Sequence, residues 1–571
     1  MTKMEHVGHQ AAERSARHQV YRDRGWWTGQ TLDAAFDAMV ALDPDAPGVI
    51  DPPDCAVLMG RSAARWTLRE MSNAARNLAA QLAAQGIGRG DVVLVQLPNT
   101  AELVTMYLAL SRLGAVISPV PMPYRHHEIA DILRELDVRA IVACRTFRGQ
   151  DMAAELRPLV AAPVRVLGFG GAADGGLALD TTAPVTPVVA AGDGAAIFTI
   201  CWTSGTTGAP KGVPRSHDHW FSQTLAVEEA ITLTPGESML NPFPLTNMAA
   251  LSSFLFLWVR ARTCFVLHHP FDLKAYLGQL VAEKIAFTAA PPAILNMLLQ
   301  NEALRDQVDL SHVRYIASGS APLDPWMVRG MREVFEVDVV NFFGSNEGVA
   351  LVGGPAAVPD PEQRATLFPR PGAEFPGRFG ARFETRLVDF TADDREITQP
   401  GTVGELLIRG PNVFDGYLNG RDRESFDALG FFRTGDLFEI AGGGDMARFY
   451  RFRGRRKELI IRGGMNISPE ELDSLINAHP DVQEAATCGY PDRVMGEKVC
   501  VFAVPRSGAV LTLAGITEFL ERQGVAKFKW PERLEPIDQL PRNPLNKVLR
   551  RDLAARLSDM SEPAAPAKRG T

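Results

Sequence analysis

The feature that most narrows the fold lies between Leu68 and Cys144, where two hydrophobic periods alternate along the chain. "LREMSNAARNLAAQLAAQ" carries an apolar stripe at helical spacing that stops at Gly86, and "DVVLVQLP" follows as a continuous apolar run of strand length. "AELVTMYLALSRLG" then reads as a helix, "AVISPV" as a strand, "HEIADILREL" as a helix and "RAIVAC" as a strand. Strands that are apolar throughout need cover on both faces, and strand–helix–strand repeats supply it by laying successive strands in parallel. A second series starts at "ESMLNPF" and continues with a helix around residues 248 to 260, "TCFVL", a helix from Asp272, "IAFTAA", a helix from Pro292, "VRYIAS", a helix from Asp324 and "VDVVNFF".

Residues 376 to 452 change character, with short alternating strands such as "GELLIRG" and "ARFYRFRG" between Gly/Asp turns, as in a small β-rich unit. After Gly454 come "KELIIRGG", a helix opening at "SPEEL", the strands "QEAATCGY" and "EKVCVFAVP", and a helix from Thr512, which together read as a separate α+β domain. Ser468 as N-cap, Pro469 at the first helical position and Glu471 as capping-box carboxylate mark its helix start. The expected fold class is therefore α/β. A large N-terminal domain, residues 1–453, would hold two doubly wound halves and the β-rich unit, followed by a small mobile α+β domain, 454–571. The tail "SDMSEPAAPAKRGT" reads as disordered and the Ala/Gly-rich stretch 170–194 as a surface loop.

Charge and composition exclude several classes. A net charge of −8 without a basic stripe gives no reason to expect nucleic acid. The six cysteines lack CxxC spacing, which fits a reducing compartment and neither a disulfide scaffold nor a zinc site. The N-terminus lacks the apolar core of a secretory signal, and the run Ala249 to Val259 is too short to span a bilayer, so a soluble cytoplasmic protein is expected. His126/His127 and His268/His269 have no ligand at metal spacing and read as surface or packing residues, and Trp26 and Trp27 as core or interface.

Between the two α/β series lies "WTSGTTGAPKGVPRSH", Trp202 to His217. Gly205, Gly208 and Gly212 free the backbone to bend around a ligand, Ser204, Thr206 and Thr207 offer hydroxyls, and Lys211 adds a full charge, which are the tools of a phosphate cradle. The spacing is not that of a Walker A loop, since Pro210 precedes Lys211 and Gly212 follows it. A flexible surface loop has the same composition, so the segment alone leaves both readings open. Four further segments bear on the choice. "NFFGSNEG" delivers Glu347 to the carboxyl edge of a sheet, where a lone carboxylate suits Mg²⁺. "FFRTGDLF" exposes Asp436 at a Gly-Asp turn, an acceptor for two ribose hydroxyls. "RGRRKELIIRGGMN" lies at the domain junction, and "LPRNPLNKVLRRDL" places Lys547 in a turn before a basic helix.

This set, in this order, resembles the acyl-adenylate-forming enzymes: acyl- and aryl-CoA synthetases, firefly-type luciferases and nonribosomal adenylation domains. The likeness runs from about residue 25 to about 555. It departs at Asn346, where the family has threonine, and at Asn546, where the family has glycine before its catalytic lysine. The resemblance implies ATP-binding roles for Thr203, Ser204, Gly205, Thr206, Thr207, Gly208 and Lys211 in the phosphate loop. It extends them to Gly319, Ser320 and Ala321 beside adenine, to Asn341, Phe342, Phe343, Gly344 and Asn346, and to Asp436 and Arg455. It implies catalytic roles for Lys547, Glu347 and Lys211, a hinge at Lys457 and a thiol channel at Gly463 and Gly464. Asn247, Met248, Ala249, Gly319, Gly344 and Ser345 would line the acyl pocket. Hydroxybenzoate activators carry a His-Asn pair where this chain has Asn247 and Met248, so a sizeable, mainly apolar acid is expected. The implied partners are ATP, Mg²⁺ and CoA, in a monomer or homodimer. The rival is a stand-alone adenylation enzyme loading an aryl acid onto a carrier-protein phosphopantetheine, whose opening "DRGWWTGQTLDAAFDAM" resembles.

Overall fold

Val92, Val93, Leu94, Val95 and Gln96 are all buried, as a strand covered on both faces requires. In the computed structural model the described residues are 11–169, 176–182, 188–203, 210–319, 322–373, 375, 377–420, 425–462, 465–492, 494–525, 527–542 and 548–559. They form two compact units: Met1–Gly319, Pro325–Thr385 and Leu407–Arg433 in the first, and Ser320–Asp324, Arg386–Leu406 and Thr434–Thr571 in the second.

The first unit contains β1 (Pro47–Ile50), β2 (Arg65–Thr67), β3 (Val92–Gln96), β4 (Val116–Pro119), β5 (Val138–Cys144), β6 (Arg165–Phe169), β7 (Ile197–Thr203), β8 (Lys211–Ser216), β9 (Ser238–Asn241), β10 (Cys264–Leu267), β11 (Ile285–Ala289), β12 (Tyr315–Gly319), β13 (Asp338–Gly344) and β14 (Ala350–Gly353). One sheet runs β6-β5-β3-β4-β7-β8 and the other β14-β13-β12-β11-β9-β10-β1-β2. Pairing is parallel except where β8 returns on β7, β14 on β13 and β2 on β1. The helices fall where the sequence places them. Leu68–Ala84 opens with a complete capping box between Thr67 and Glu70, and Leu273–Ala282 opens on Asp272, whose carboxylate accepts from Ala275 N.

Both sheets share one hydrophobic core, so the two halves pack as a single body. Buried Tyr107 links them by donating to Leu245 O at 2.6 Å. Three features depart from expectation here. β1 and β2 precede the first series in the chain yet form the edge of the second sheet, a non-local pairing that periodicity does not encode. The helix around 248–260 is interrupted by a π-helical turn at Leu251–Leu255. Within the part of 170–194 that is described, Leu177 is buried and bridges Phe169, which a surface loop would not require.

In the second unit Asp436–Ile440 pairs with Tyr450–Arg455, and Val482–Asp492 with Gly496–Pro505. Ser468 caps Pro469–Asn477 by accepting from Glu471 N at 3.3 Å, but the Glu471 carboxylate is taken by Lys529 Nζ at 2.8 Å. Half of the expected capping box is thus exchanged for an ion pair. The helix Arg550–Asp559 runs two residues into the tail read as disordered, and residues 560–571 lie outside the described residues.

The N-terminal segment is tied down by a buried carboxylate. Asp218 Oδ1 accepts from Thr28 N and Gly29 N, each at 3.1 Å. Burial pushes its carboxyl up to about 6. The native state therefore holds a proton that the unfolded chain has lost between about pH 4 and pH 6, and this group's contribution to stability falls as pH rises through that window. Asp218→Asn should gain on the native protein by about 2–4 °C in Tm between pH 4.5 and 7. Parallel Tm profiles across that range would contradict the assignment.

Candidate active site

Lys211 opens β8 directly opposite Thr203, the last residue of antiparallel β7, so the glycine-rich segment lies in sequence between two paired strands. Ser204, Gly205, Thr206, Thr207 and Gly208 lie outside the described residues. The half-buried Lys211 sets its Nζ 4.8 Å above the ring centroid of Tyr417.

The carboxyl ends of β12 and β13 require glycine for steric reasons. A Cβ on Gly319 would lie 2.2 Å from Phe342 O, and one on Gly344 would lie 2.9 Å from the backbone oxygen of Val349 as well as 2.1 Å from Met248 Cε. Met248 N donates to Asn346 Oδ1 at 2.8 Å, and Ala250 N to Asn247 Oδ1 at 3.3 Å. Asn247, Met248, Gly344 and Asn346 are thereby brought together, and the Asn346 amide nitrogen is left as the donor. Ala249 is half-buried on the same turn, and the Ser345 hydroxyl is buried with no partner among the described residues. Asn341 is directed elsewhere, its amide donating to Arg364 O and Ala365 O at 3.1 and 2.8 Å. Phe342 is half-buried, and Phe343 meets Phe368 edge to face at 5.9 Å. Ser320 and Ala321 lie outside the described residues.

Glu347 is 8% exposed. Its Oε1 accepts from Tyr417 Oη at 2.8 Å, and its backbone carbonyl accepts from Phe414 N at 2.8 Å. Among the described residues no other group hydrogen bonds to the carboxylate. One oxygen is fixed and the other remains for a hard cation, so the donor fits Mg²⁺. A second candidate fails that test. His18, His219 and Asp415 offer ligand atoms within 4.8 Å of one another, but Ser216 N donates to His219 Nδ1 at 3.0 Å. That bond keeps the ring proton on Nε2, the atom facing Asp415.

Behind Glu347 sits Arg215, fully buried on β8. It donates to Asn346 O, Asn412 O and Gln223 Oε1, each at 2.7 Å, and to His219 O at 3.2 Å, with its guanidinium 4.2 Å over the Trp220 ring. Burial pulls it down to about 9, so it stays charged at neutral pH. Neither Arg215 nor Tyr417 is singled out by the sequence. "VFDGYLN" has no motif-like pattern, and a lone arginine in a β-hairpin carries no period.

In the second unit, Gly435 turns with φ +71°, Thr434 Oγ1 accepts from Asp436 N at 3.0 Å, and Gly435 N donates to Glu405 Oε1 at 3.1 Å. The turn points the buried Asp436 at its register partner Arg455, with Nε 3.3 Å from Oδ1. Lys457 is exposed in the short turn Arg456–Glu458. Arg550, also missed from sequence, ties that turn to the last helix, donating to Glu458 Oε2 at 3.2 Å and Asp473 Oδ2 at 2.5 Å. Gly463, Gly464, Asn546 and Lys547 lie outside the described residues.

A family model for AMP-binding enzymes matches residues 36–418, and one for the AMP-binding enzyme C-terminal domain matches residues 471–547. The chain belongs to the AMP-binding enzyme family. Within the acyl-adenylate-forming superfamily, this AMP-binding enzyme is 30% identical over 534 residues to a Mycobacterium tuberculosis CoA ligase for a methyl-dioxo-octahydroindenyl propanoate, covering 91% of this chain and 97% of the relative. It is 29% identical over 559 residues to a salicyl-AMP ligase / salicyl-S-ArCP synthetase of the same organism, covering 95% and 94%. The ATP-bound structure of MatB from Rhodopseudomonas palustris matches with a TM-score of 0.77 at 27% identity, covering 93% of this chain and 100% of that one. Among the described residues no helix is long and apolar enough to cross a membrane.

Arg215→Lys would keep the charge but set one nitrogen against four acceptors. It should lower stability by about 2–4 kcal/mol in denaturant unfolding. A change below about 0.5 kcal/mol would remove Arg215 from the account.

Proposed function

We propose that this enzyme is an AMP-forming acyl-CoA synthetase acting on a sizeable, mainly apolar carboxylic acid. The observation that carries the reading is the convergence of a cation, Lys211, and a carboxylate, Glu347, on one buried ring beside the carboxyl end of β13. In the first half-reaction a substrate carboxylate oxygen attacks the α-phosphorus of ATP, an O–P bond forms, and the bond to the β-phosphate oxygen breaks to release pyrophosphate. Lys211 and the glycine-rich segment would neutralise the β- and γ-phosphates, the Asn346 amide would donate to the α-phosphate, and Asp436 would accept from both ribose hydroxyls. Mg²⁺ held on Glu347 would add charge neutralisation at the phosphate oxygens. Lys547 would bridge the substrate carboxylate and the nucleotide.

In the second half-reaction the CoA thiol attacks the acyl carbon, a C–S bond forms, and AMP departs with the former carboxylate oxygen. Rotation about Lys457 would withdraw Lys547 and bring Gly463 and Gly464 to the adenylate. The acid assignment rests on Met248 packed against Gly344, with the small Ala249 beside it and no histidine to read a ring hydroxyl. The bulky alicyclic propanoate of the M. tuberculosis CoA ligase is of the same class. The N-terminal "DRGWWTGQTLDAAFDAM" and the salicyl-loading relative favour a second reading, transfer to a carrier protein.

Mass spectrometry of acyl-CoA across aliphatic, alicyclic and aromatic acids decides between them. Alicyclic or polycyclic acids should exceed dihydroxybenzoate, and Ala249→Trp should cut kcat/KM for the bulky acid at least about tenfold more than for propionate. Equal losses, dihydroxybenzoate as best substrate, or a holo-carrier protein far outpacing CoA would contradict the proposal.

A further inference from the structure

Lys211 and Glu347 carry opposite charges and share a neighbour, yet no carboxylate among the described residues lies within 4.0 Å of Lys211 Nζ. Between them stands Tyr417, 7% exposed, with both its polar and its apolar parts committed. Its hydroxyl donates to Glu347 Oε1 at 2.8 Å, and its ring face lies 4.8 Å below the Lys211 ammonium. We infer that Tyr417 is the positioning residue of the phosphate site, seating Lys211 on its ring and fixing the Glu347 carboxylate with its hydroxyl. The inference rests on Lys211 as a phosphate ligand and Glu347 as the Mg²⁺ carboxylate.

The residue type matters. An arginine here would hold Glu347 but cancel its charge, and a carboxylate would hold Lys211 but cancel that one. A phenol does neither. A neutral O–H orients one carboxylate oxygen and leaves the anion intact for a cation. The aromatic quadrupole holds an ammonium weakly enough to yield it to a phosphate.

The seat is rigid. Phe414 N donates to Glu347 O at 2.8 Å, Asn412 Nδ2 to Gly348 O at 2.7 Å, and Trp27 Nε1 to Pro411 O at 3.0 Å, which pin the segment on either side of its turn. His18 Nε2 meets Asp415 Oδ1 at 3.0 Å. Phe414 packs edge-on to the Tyr417 ring at 4.9 Å. The strand of Lys211 is docked on the same segment, since a Cβ on Gly212 would lie 3.2 Å from Leu418 Cβ.

The test is isothermal titration of ATP into the full-length enzyme, once with Mg²⁺ and once with EDTA, for the native protein, Tyr417→Phe and Tyr417→Leu. Tyr417→Phe keeps the ring and releases Glu347, so affinity with Mg²⁺ should fall about five- to tenfold while the EDTA value stays within about twofold. Tyr417→Leu also removes the cation's seat, so its EDTA affinity should fall a further ~3-fold or more. The phenylalanine variant, which keeps the packing, decides the matter should the leucine variant fail to fold. Unchanged Mg²⁺ affinity in Tyr417→Phe, or equal losses in both conditions, overturns the inference while leaving the adenylation reading in place. A native enzyme that binds no ATP in either condition overturns that reading and the inference with it.

Discussion

A guanidinium buried without a carboxylate at hydrogen-bond distance is costly unless its N–H groups find acceptors, and Arg215 finds four in three separate segments of the chain. Its Nη1 reaches the carbonyl of Asn346, the residue before Glu347. Its Nη2 reaches the carbonyl of Asn412, five residues before Tyr417, and the helix that follows β8. The same β-strand begins at Lys211. Moving any one of these segments would strand a charge in the interior, so their mutual placement is fixed by the cost of misplacement more than by the strength of any one bond.

That constraint explains how an anion and a cation stay apart without pairing. With β8 and the two loops held by Arg215, Tyr417 keeps one position relative to both charges, and each meets a neutral group. The side proposed to bind the acid is built on the same frame. Asn346, whose carbonyl Arg215 holds, uses its own side chain to cap the first turn of the segment carrying Met248, which in turn rests against Gly344. On the proposed reading, phosphate chemistry and acyl selectivity share a support, and a change at Arg215 is expected to reach both.

Much of this was legible in the sequence, and the exceptions have a common cause. Hydrophobic period reveals which face of a segment is buried, which is why the strands at 92–96 and 138–144 and the helix starts at Asp272, Ser468 and Thr512 fall where they were expected. Motif spacing singled out Lys211 and Glu347 because their neighbours are distinctive. Period says nothing about which distant partner a buried polar group will find. Arg215 lies 131 residues from Asn346 and 197 from Asn412. Tyr417 lies 70 from Glu347. Pairings across such separations also set β1 and β2 on the second sheet, and Lys529 diverts Glu471 from its capping box.

The central claim is that this site joins a carboxylate to the α-phosphorus of ATP. It is tested most directly by supplying the preferred acid with both carboxylate oxygens as oxygen-18 and analysing the products of a CoA-dependent turnover. The account predicts one labelled oxygen in AMP and none in pyrophosphate. Unlabelled AMP, or label in pyrophosphate or inorganic phosphate, would contradict it.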